Sequence, residues 1–477
     1  MKGDFTRVTF DPLRHFSRVL MQQGRVQLDA DFNEQSAILL HYLRTLVGDL
    51  IGPYGGPRGG EAGFGLAPQG NGRFTLGVGH YYVDGILVEN HDPATELHIE
   101  DIQGAFVAYL DVWERHVTHL QAPGIREVAL GGPDTCTRAE VVWAVRRQDI
   151  ESGNDGETGC EAAREWVERL RVLEYPEMRP RMRARMTGEG QGGDACSIPP
   201  DSRYRGNENQ LYRVEVHRGG AAWDGTTDRD GTPRGNLDDA ATFVWSRDNG
   251  SVVFGIIRQE GPVVYLASLG RDARSTLSVG DWVEIMDDDL ELRGEPGTLV
   301  QVDAVDAVDI TVTLKASGGT TPVWPGYDEK TTSHPLLRRW DHSKIAGQAM
   351  HEGAILLRAD DGEWLEIEDG IEIAFRSGQT QFRNGDYWLV PARVATGKIE
   401  WPEDAADRPL ALPPAGIQHH YAPLAVIQGG EAQDCRCGFR LACESPLLER
   451  YEDEKGPSPR PVRRAKKKAG AQADKSP

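Results

Sequence analysis

Hydrophobic positions near the start of the chain change period once. From Phe32 onward they fall at Phe32, Ile38, Leu39, Tyr42, Leu43, Leu46, Val47 and Leu50. Steps of three and four are the signature of an amphipathic helix. Asp31 stands where an N-cap is wanted, and Glu34, three residues on, is the acidic half of a capping box. Gly52-Pro53 stops the pattern. The spacing predicts a helix over 31–50, about five turns long. Ahead of it, Phe10, Phe16, Val19, Leu20, Val26 and Leu28 lie among polar residues and are broken by Pro12 and Gly24. That stretch reads as extended chain. A long amphipathic helix ahead of any domain core needs a surface to lie on, either its own domain or a partner.

Beyond residue 52 the period is mostly two. Residues 52–72 are rich in Gly and Pro and read as a linker. Tyr82-Val83 and Ile86-Leu87-Val88 flank Asp84-Gly85, a two-residue hairpin signal. Residues 104–118 read as a long strand with 139–147 as its partner, and 161–174 as a second helix. Residues 210–217, 241–246, 251–258 and 263–266 are strand-like, with Asn249-Gly250 expected to turn the second of these into the third. Three short strands within 279–315 suggest a small SH3-like barrel. Further strands are expected at 354–357, 363–368, 370–375, 385–391 and 419–427. The fold class is therefore mainly β, α+β overall, in several β-rich modules. The segments expected are 1–52 (extended segment and docking helix), 73–186 (β-rich with one helix), 200–320 (β with the small barrel), 321–444 (C-terminal β) and 445–477 (a disordered basic tail).

Composition narrows the function classes. The charge is −21, yet the last 23 residues hold eight Lys or Arg and one Asp, leaving the rest at −28. So acidic a body repels nucleic acid and anionic lipid. No apolar run approaches the roughly 18 residues of a membrane span, and the start lacks the apolar core of a signal peptide. Cytoplasmic synthesis is expected. Six cysteines in 477 residues do not suggest a disulfide scaffold, and a reducing compartment suits them better. Cys160 and Cys196 lie in loops that permit a meeting without demanding one.

Catalytic motifs are missing from the sequence. It holds no G-x-S-x-G elbow, no H-E-x-x-H and no P-loop. His351-Glu352 begins a zincin-like word, but Ile355 stands where the second His belongs. Asp228, Asp230 and Gly231 do not fit an EF-hand. Asp287-Asp288-Asp289 reads as a solvated turn after a strand, although three carboxylates suit a hard cation. Cys435, Cys437 and Cys443 near His420 form a zinc candidate, three thiolates and an imidazole, at a spacing unlike the usual C-x-x-C pairs. Glu366 and Glu368 lie at i and i+2, on one side of a strand, whereas glycosidic carboxylates flank the scissile bond. The eleven Trp, among them Trp245, Trp282, Trp324, Trp340, Trp364, Trp388 and Trp401, suit either core packing or sugar stacking. No enzyme activity and no cofactor are expected.

Several longer stretches carry a resemblance. They are FDPLRHFSRVLMQQGRVQLDADFNEQ, GHYYVDGILVEN, YLDVWERHVT, GNENQLYRVEVH, FVWSRDNGSVVF and GDYWLVPARVATGKIEWP. Together they resemble a bacterial family of unknown activity, associated with phage-tail-like contractile injection systems, from Met1 to about Phe439. The start also resembles the attachment segments of phage baseplate and tail-fibre proteins: Phe10-Asp11-Pro12, Arg18-Val19-Leu20, Gly24-Arg25, Asn33-Glu34, then Tyr82-Val83-Asp84-Gly85. The resemblance implies a structural particle component of the baseplate or fibre-attachment region, assembled into a particle that lysis releases. A glycan- or receptor-binding module and a cargo or effector are the alternatives. The assembly residues it implies are Phe10, Phe16, Arg18, Leu20, Arg25, Asn33, Leu39, Tyr42 and Leu43. The partners would be other particle proteins, with further copies of the chain or a glycan left open and nucleic acid not expected.

Overall fold

A computed structural model describes residues 3, 5–57, 62–99, 104–150, 159–188, 203–270, 272, 274–316, 324, 326–328, 330, 332–342, 348–360 and 362–439. The expected basic tail, together with Cys196 and Cys443, lies outside them. The chain is mainly β, with three short-to-medium α-helices among the described residues: α1 (Asp29–Ile51), α2 (Cys160–Leu173) and α3 (Asp288–Arg293). None of the helices is long and apolar enough to cross a membrane.

The first unit grows from one hairpin. Ala105–Val117 pairs with Arg138–Ile150 in unbroken antiparallel register, Ala105 opposite Ile150 and Val117 opposite Arg138. The first strand runs AFVAYLDVWERHV, with apolar residues at both parities, so both of its faces are covered. On one face Val107 packs with Ala163 of α2 and with Val426. On the other, Leu110 and Val112 pack with Tyr81, Val83 and Val88 of the hairpin Gly79–Val83/Ile86–Asn90. That hairpin turns at Asp84 and Gly85, with φ of 47° and 77°, as the two-residue signal requires.

The second unit faces a six-stranded sheet with a three-stranded one. Gln210–Arg218 and Thr242–Ser246 are neighbours in the first, and Arg181–Met186 and Ile371–Arg376 in the second. Tyr212, Val214, Trp245, Trp388, Ile373 and Phe375 fill the space between. The third unit is a closed six-stranded barrel, in the order Val253–Glu260, Val263–Leu266, Thr311–Lys315, Thr298–Asp306, Trp282–Met286, Leu336–Trp340. It contains the three strands expected within 279–315. Alternate residues such as Val264, Val283, Val300 and Val312 point inward. Pairing also crosses the segments suggested by composition. Leu336–Trp340 closes the barrel, Arg181–Met186 pairs with Ile371–Arg376, and His420–Gln428 pairs with Ala105–Val117.

Four local expectations are corrected. The helix starts at Asp29 and not at 31. Leu28 takes the N-cap position, and Asp31 is the third helical residue, whose carboxylate accepts the Leu28 N–H at 3.1 Å. Glu34 instead accepts the Thr9 hydroxyl at 2.5 Å. Asn249 and Gly250 do adopt positive φ, 55° and 63°, but the strands on either side do not pair. Thr242–Ser246 stays in the sheet and Val253–Glu260 enters the barrel. Turn chemistry sets the local dihedrals, while the neighbours available to each strand decide the pairing. Asp287-Asp288-Asp289 is more than a solvated turn. Asp287 caps α3 by accepting the Leu290 N–H at 2.8 Å, and buried Asp288 accepts from His334 Nδ1 at 2.8 Å.

The fourth correction concerns the cysteines. Cys160 and Cys435 form a disulfide across 275 residues of sequence. Packing of α2 on the strand His420–Gln428 brings them together, and linear spacing gives no sign of it. The bond ties α2 to the sheet, so Cys160→Ser/Cys435→Ser is expected to lower unfolding stability by about 2–4 kcal/mol. Urea unfolding of the two proteins without reductant measures the difference.

Candidate assembly face

Gly3 and residues 5–10 are clamped to the body by polar groups. Arg213 lies wholly within the second unit, with its guanidinium donating to Asn249 Oδ1 at 3.0 Å, Glu215 Oε2 at 3.3 Å and the Gly3 carbonyl at 2.9 Å. The Asn249 amide also donates to the carbonyls of Gly3 and Phe5, at 2.7 and 3.1 Å. Arg7 Nη1 donates to both carboxylate oxygens of Glu400, at 3.0 and 2.8 Å. Phe5 packs against His116, and Phe10 against His41 of α1. Extended chain without strand partners must satisfy its backbone otherwise, and here two body side chains do it.

Beyond Phe10 the chain leaves the body. Asp11 accepts the Leu13 N–H at 2.9 Å and opens a single 3-10 turn, Pro12–Arg14. Residues 15–28 then run along α1, held at Val19 N–H by Gln35 Oε1 at 2.9 Å. Leu13, Phe16, Leu20, Met21, Val26 and Leu28 are each 48–86% exposed. Arg14, Arg18 and Arg25 are exposed among them, and the arm 12–28 contains no acid. A run of large apolar residues facing water is unusual for a soluble protein surface and marks a contact region.

The helix α1 touches the body along a narrow line. Ile38 and Ala30 are buried. Arg44 reaches Glu114 at 2.9 Å. The backbone of Arg44 lies so close to the hairpin tip that a Cβ on Gly85 would come within 2.5 Å of it. Phe32, Leu39, Leu40, Tyr42, Leu43, Leu46 and Leu50 remain 45–76% exposed. A cleft of about 320 Å³ lies between residues 5–10, α1 and the body, bordered by Phe5, Val8, Phe10, Ala37, Leu40 and His116.

The nine assembly candidates read from the sequence all lie on the N-terminal segment or on α1. Phe10 is half-buried, and Phe16, Arg18, Leu20, Arg25, Asn33, Leu39, Tyr42 and Leu43 are exposed. The residues that hold the N-terminal segment, Arg213, Asn249 and Glu400, escaped sequence reading. A buried Arg in a strand of mixed polarity has no motif, and the only signal was the Asn249-Gly250 turn.

The other candidates do not converge. Cys435 is spent in the disulfide, and His420 Nδ1 donates to Asp84 at 2.9 Å, so the proposed zinc set is not assembled. Among the described residues no group of three His, Cys, Asp or Glu is placed to hold a metal. Glu366 pairs with Arg205, and Glu368 with Arg247 and Tyr212. A bulge between the two glutamates breaks their alternation. Trp245, Trp282, Trp340 and Trp388 are core residues. Trp364 is covered by Arg185, whose guanidinium lies 3.9 Å from its ring centre.

One buried imidazole makes stability pH-dependent. His342 stacks on Trp282 at 5.4 Å, and its Nε2 donates to the Gly353 carbonyl at 2.7 Å. Burial pushes its pKa down from 6.5 to about 4. The unfolded chain therefore binds a proton that the folded one refuses between pH 6.5 and 4, and stability falls as pH falls through that window. Full loss from this group amounts to about 3 kcal/mol. Asp386 acts in the opposite sense. Burial raises its pKa to about 6, despite Arg179 beside it, so folding takes up a proton there. His342→Gln isolates the imidazole. Between pH 7 and pH 4.5 the variant is expected to lose about 2 kcal/mol less stability than wild type, read by urea unfolding at each pH.

With the geometry in hand, comparison with known proteins places the chain. The model of a family of unknown function, DUF6519, matches residues 1–156 and 150–477. The chain belongs to DUF6519. The match spans both the N-terminal face and the β units that carry it, so this DUF6519 chain is family sequence from end to end. No curated relative matches it. A solved structure titled "Crystal structure of TssK" aligns with 75% of this chain and 98% of its own, at 10% identity and a TM-score of 0.15. Agreement that low carries no argument about fold or role.

Proposed function

We propose that this DUF6519 chain is a non-catalytic structural component of a phage-tail-like contractile injection particle, in its baseplate or fibre-attachment region. One observation carries the reading: the arm 12–28 and the outer side of α1 both expose large apolar side chains, while Gly3, Phe5 and Arg7 are tied to the body by hydrogen bonds to Arg213, Asn249 and Glu400. A disordered tail would not be held in this way. A face held open at fixed orientation is what docking needs, since ordering costs are met on folding and not on binding. Two of the motifs that resemble phage attachment segments, Arg18-Val19-Leu20 and Gly24-Arg25, lie on the exposed arm. The arm carries three Arg and no acid, so the surface that fits it is apolar with carboxylates at its rim. The chain is made in the cytoplasm and leaves with the particle, where oxidising conditions favour the Cys160–Cys435 bond.

The test is compositional. Particles purified from cells that express the complete gene cluster, analysed by quantitative mass spectrometry, should contain this chain in fixed ratio to the tube protein. Its absence from intact particles would remove the reading.

A further inference from the structure

The outer side of α1 carries a second pattern inside the first. Phe32, Leu39, Leu43, Leu46 and Leu50 are spaced 7, 4, 3 and 4 residues apart. With Ser36 filling the gap, these are the a and d positions of successive heptads, the spacing by which one helix packs into another. At 100° per residue these five positions cluster about one line along the helix, and Ala30 and Ile38 lie on the opposite side. The buried residues confirm that the inward line is the one that meets the body. All five seam residues are 55–76% exposed. The helix is thus apolar on two sides and covered on one, and helices of that kind are buried on both.

We infer that this seam is covered by the same helix of a second copy of the chain, in a homotypic helix bundle. The inference deepens the assembly reading by naming the partner of α1, and it rests on that reading for the identification of α1 as an interface. Three observations favour a copy of the chain over an unrelated protein. The seam contains no charge, and its flanking positions, Asn33, Gln35, Leu40, Tyr42, Val47 and Asp49, hold a single one. Identical helices therefore meet without the repulsion that like charges at flanking positions impose. A 3–4 seam of leucines is complementary to itself, as an interface between identical copies requires. The area is adequate: the five seam residues with Leu40 and Tyr42 present on the order of 700 Å², against about 800 Å² per partner in a stable interface. The arm, which bears its charge as three Arg, is left for the particle.

The oligomeric mass of the full-length chain tests this. Sedimentation velocity and native mass spectrometry should find wild type as a discrete multiple of 52.6 kDa at micromolar concentration. Leu39→Glu/Leu46→Glu should run as monomer, self-affinity falling at least about 100-fold, with an unchanged thermal midpoint. If the charged pair lowers the midpoint, Leu43→Ala/Leu50→Ala provides the same reading. A wild type that is monomeric to high micromolar concentration overturns the inference, as does an oligomer that both variants leave intact. Wild-type monomers that enter particles only with the seam intact would give α1 to another particle protein, and again overturn it. An oligomer lost in the variants but absent from purified particles would sustain the inference and sink the particle reading.

Discussion

Leu20→Asp with Val26→Asp is expected to cut incorporation of the chain into particles on the order of 100-fold or more, with no measurable change in its own stability. Both residues are among the most exposed of the arm, 70% and 86%. Buried against a partner, each contributes roughly 2 kcal/mol, and a carboxylate in its place must be desolvated as well. Each 1.4 kcal/mol is tenfold in affinity. On the isolated chain neither side chain packs on the body, so a surface substitution there stays within about 0.5 kcal/mol. Quantitative mass spectrometry of purified particles, with thermal unfolding of the free variant, gives both halves. Incorporation at the wild-type level would mean that the arm is not a docking element.

The largest stability effect is expected at Arg213. Arg213→Met keeps much of the volume and removes the charge that faces Glu215 at 3.3 Å, the bond to Asn249 and the bond to Gly3. Breaking a buried charge pair from one side costs about 3–5 kcal/mol. The same change loosens residues 3–10, because the Gly3 carbonyl loses one of its two donors. Urea unfolding should show the loss of stability. Hydrogen exchange should show residues 3–10 opening faster than the sheet around them. Unchanged exchange in that segment would mean that Arg7–Glu400 and Asn249 hold it alone. Removing residues 1–51 outright is a poorer experiment, since it would expose the Arg213 cluster as well as delete the face.

What was legible in the sequence was local. The hairpin at Asp84-Gly85, the long pair 104–118 with 139–147, and the helix 161–174 follow from turn chemistry and from periods of two and 3.6. The helix α1 was legible as an element but not as a surface. Its 3.6-residue pattern sums apolar residues on both sides, Ile38 inward and Leu39, Leu43, Leu46 and Leu50 outward. Nothing in one chain says which side the body takes. Long-range features left no local trace. The Cys160–Cys435 bond spans 275 residues, and the barrel is closed by Leu336–Trp340, where no strand was expected. The Trp residues left core packing and sugar stacking open because strand burial depends on what the sheet faces. The exposed residues of the arm fall in a recognisable N-terminal pattern, whereas the buried clamp of Arg213 and Asn249 belongs to no motif.

Hydroxyl-radical footprinting of Phe16 and Met21 tests the central claim most directly. Both side chains are more than half exposed on the arm, outside the α1 seam. The account predicts rapid oxidation of both in the isolated chain and strong protection in assembled particles. Equal oxidation in the two states, with the chain present in the particle, would contradict it.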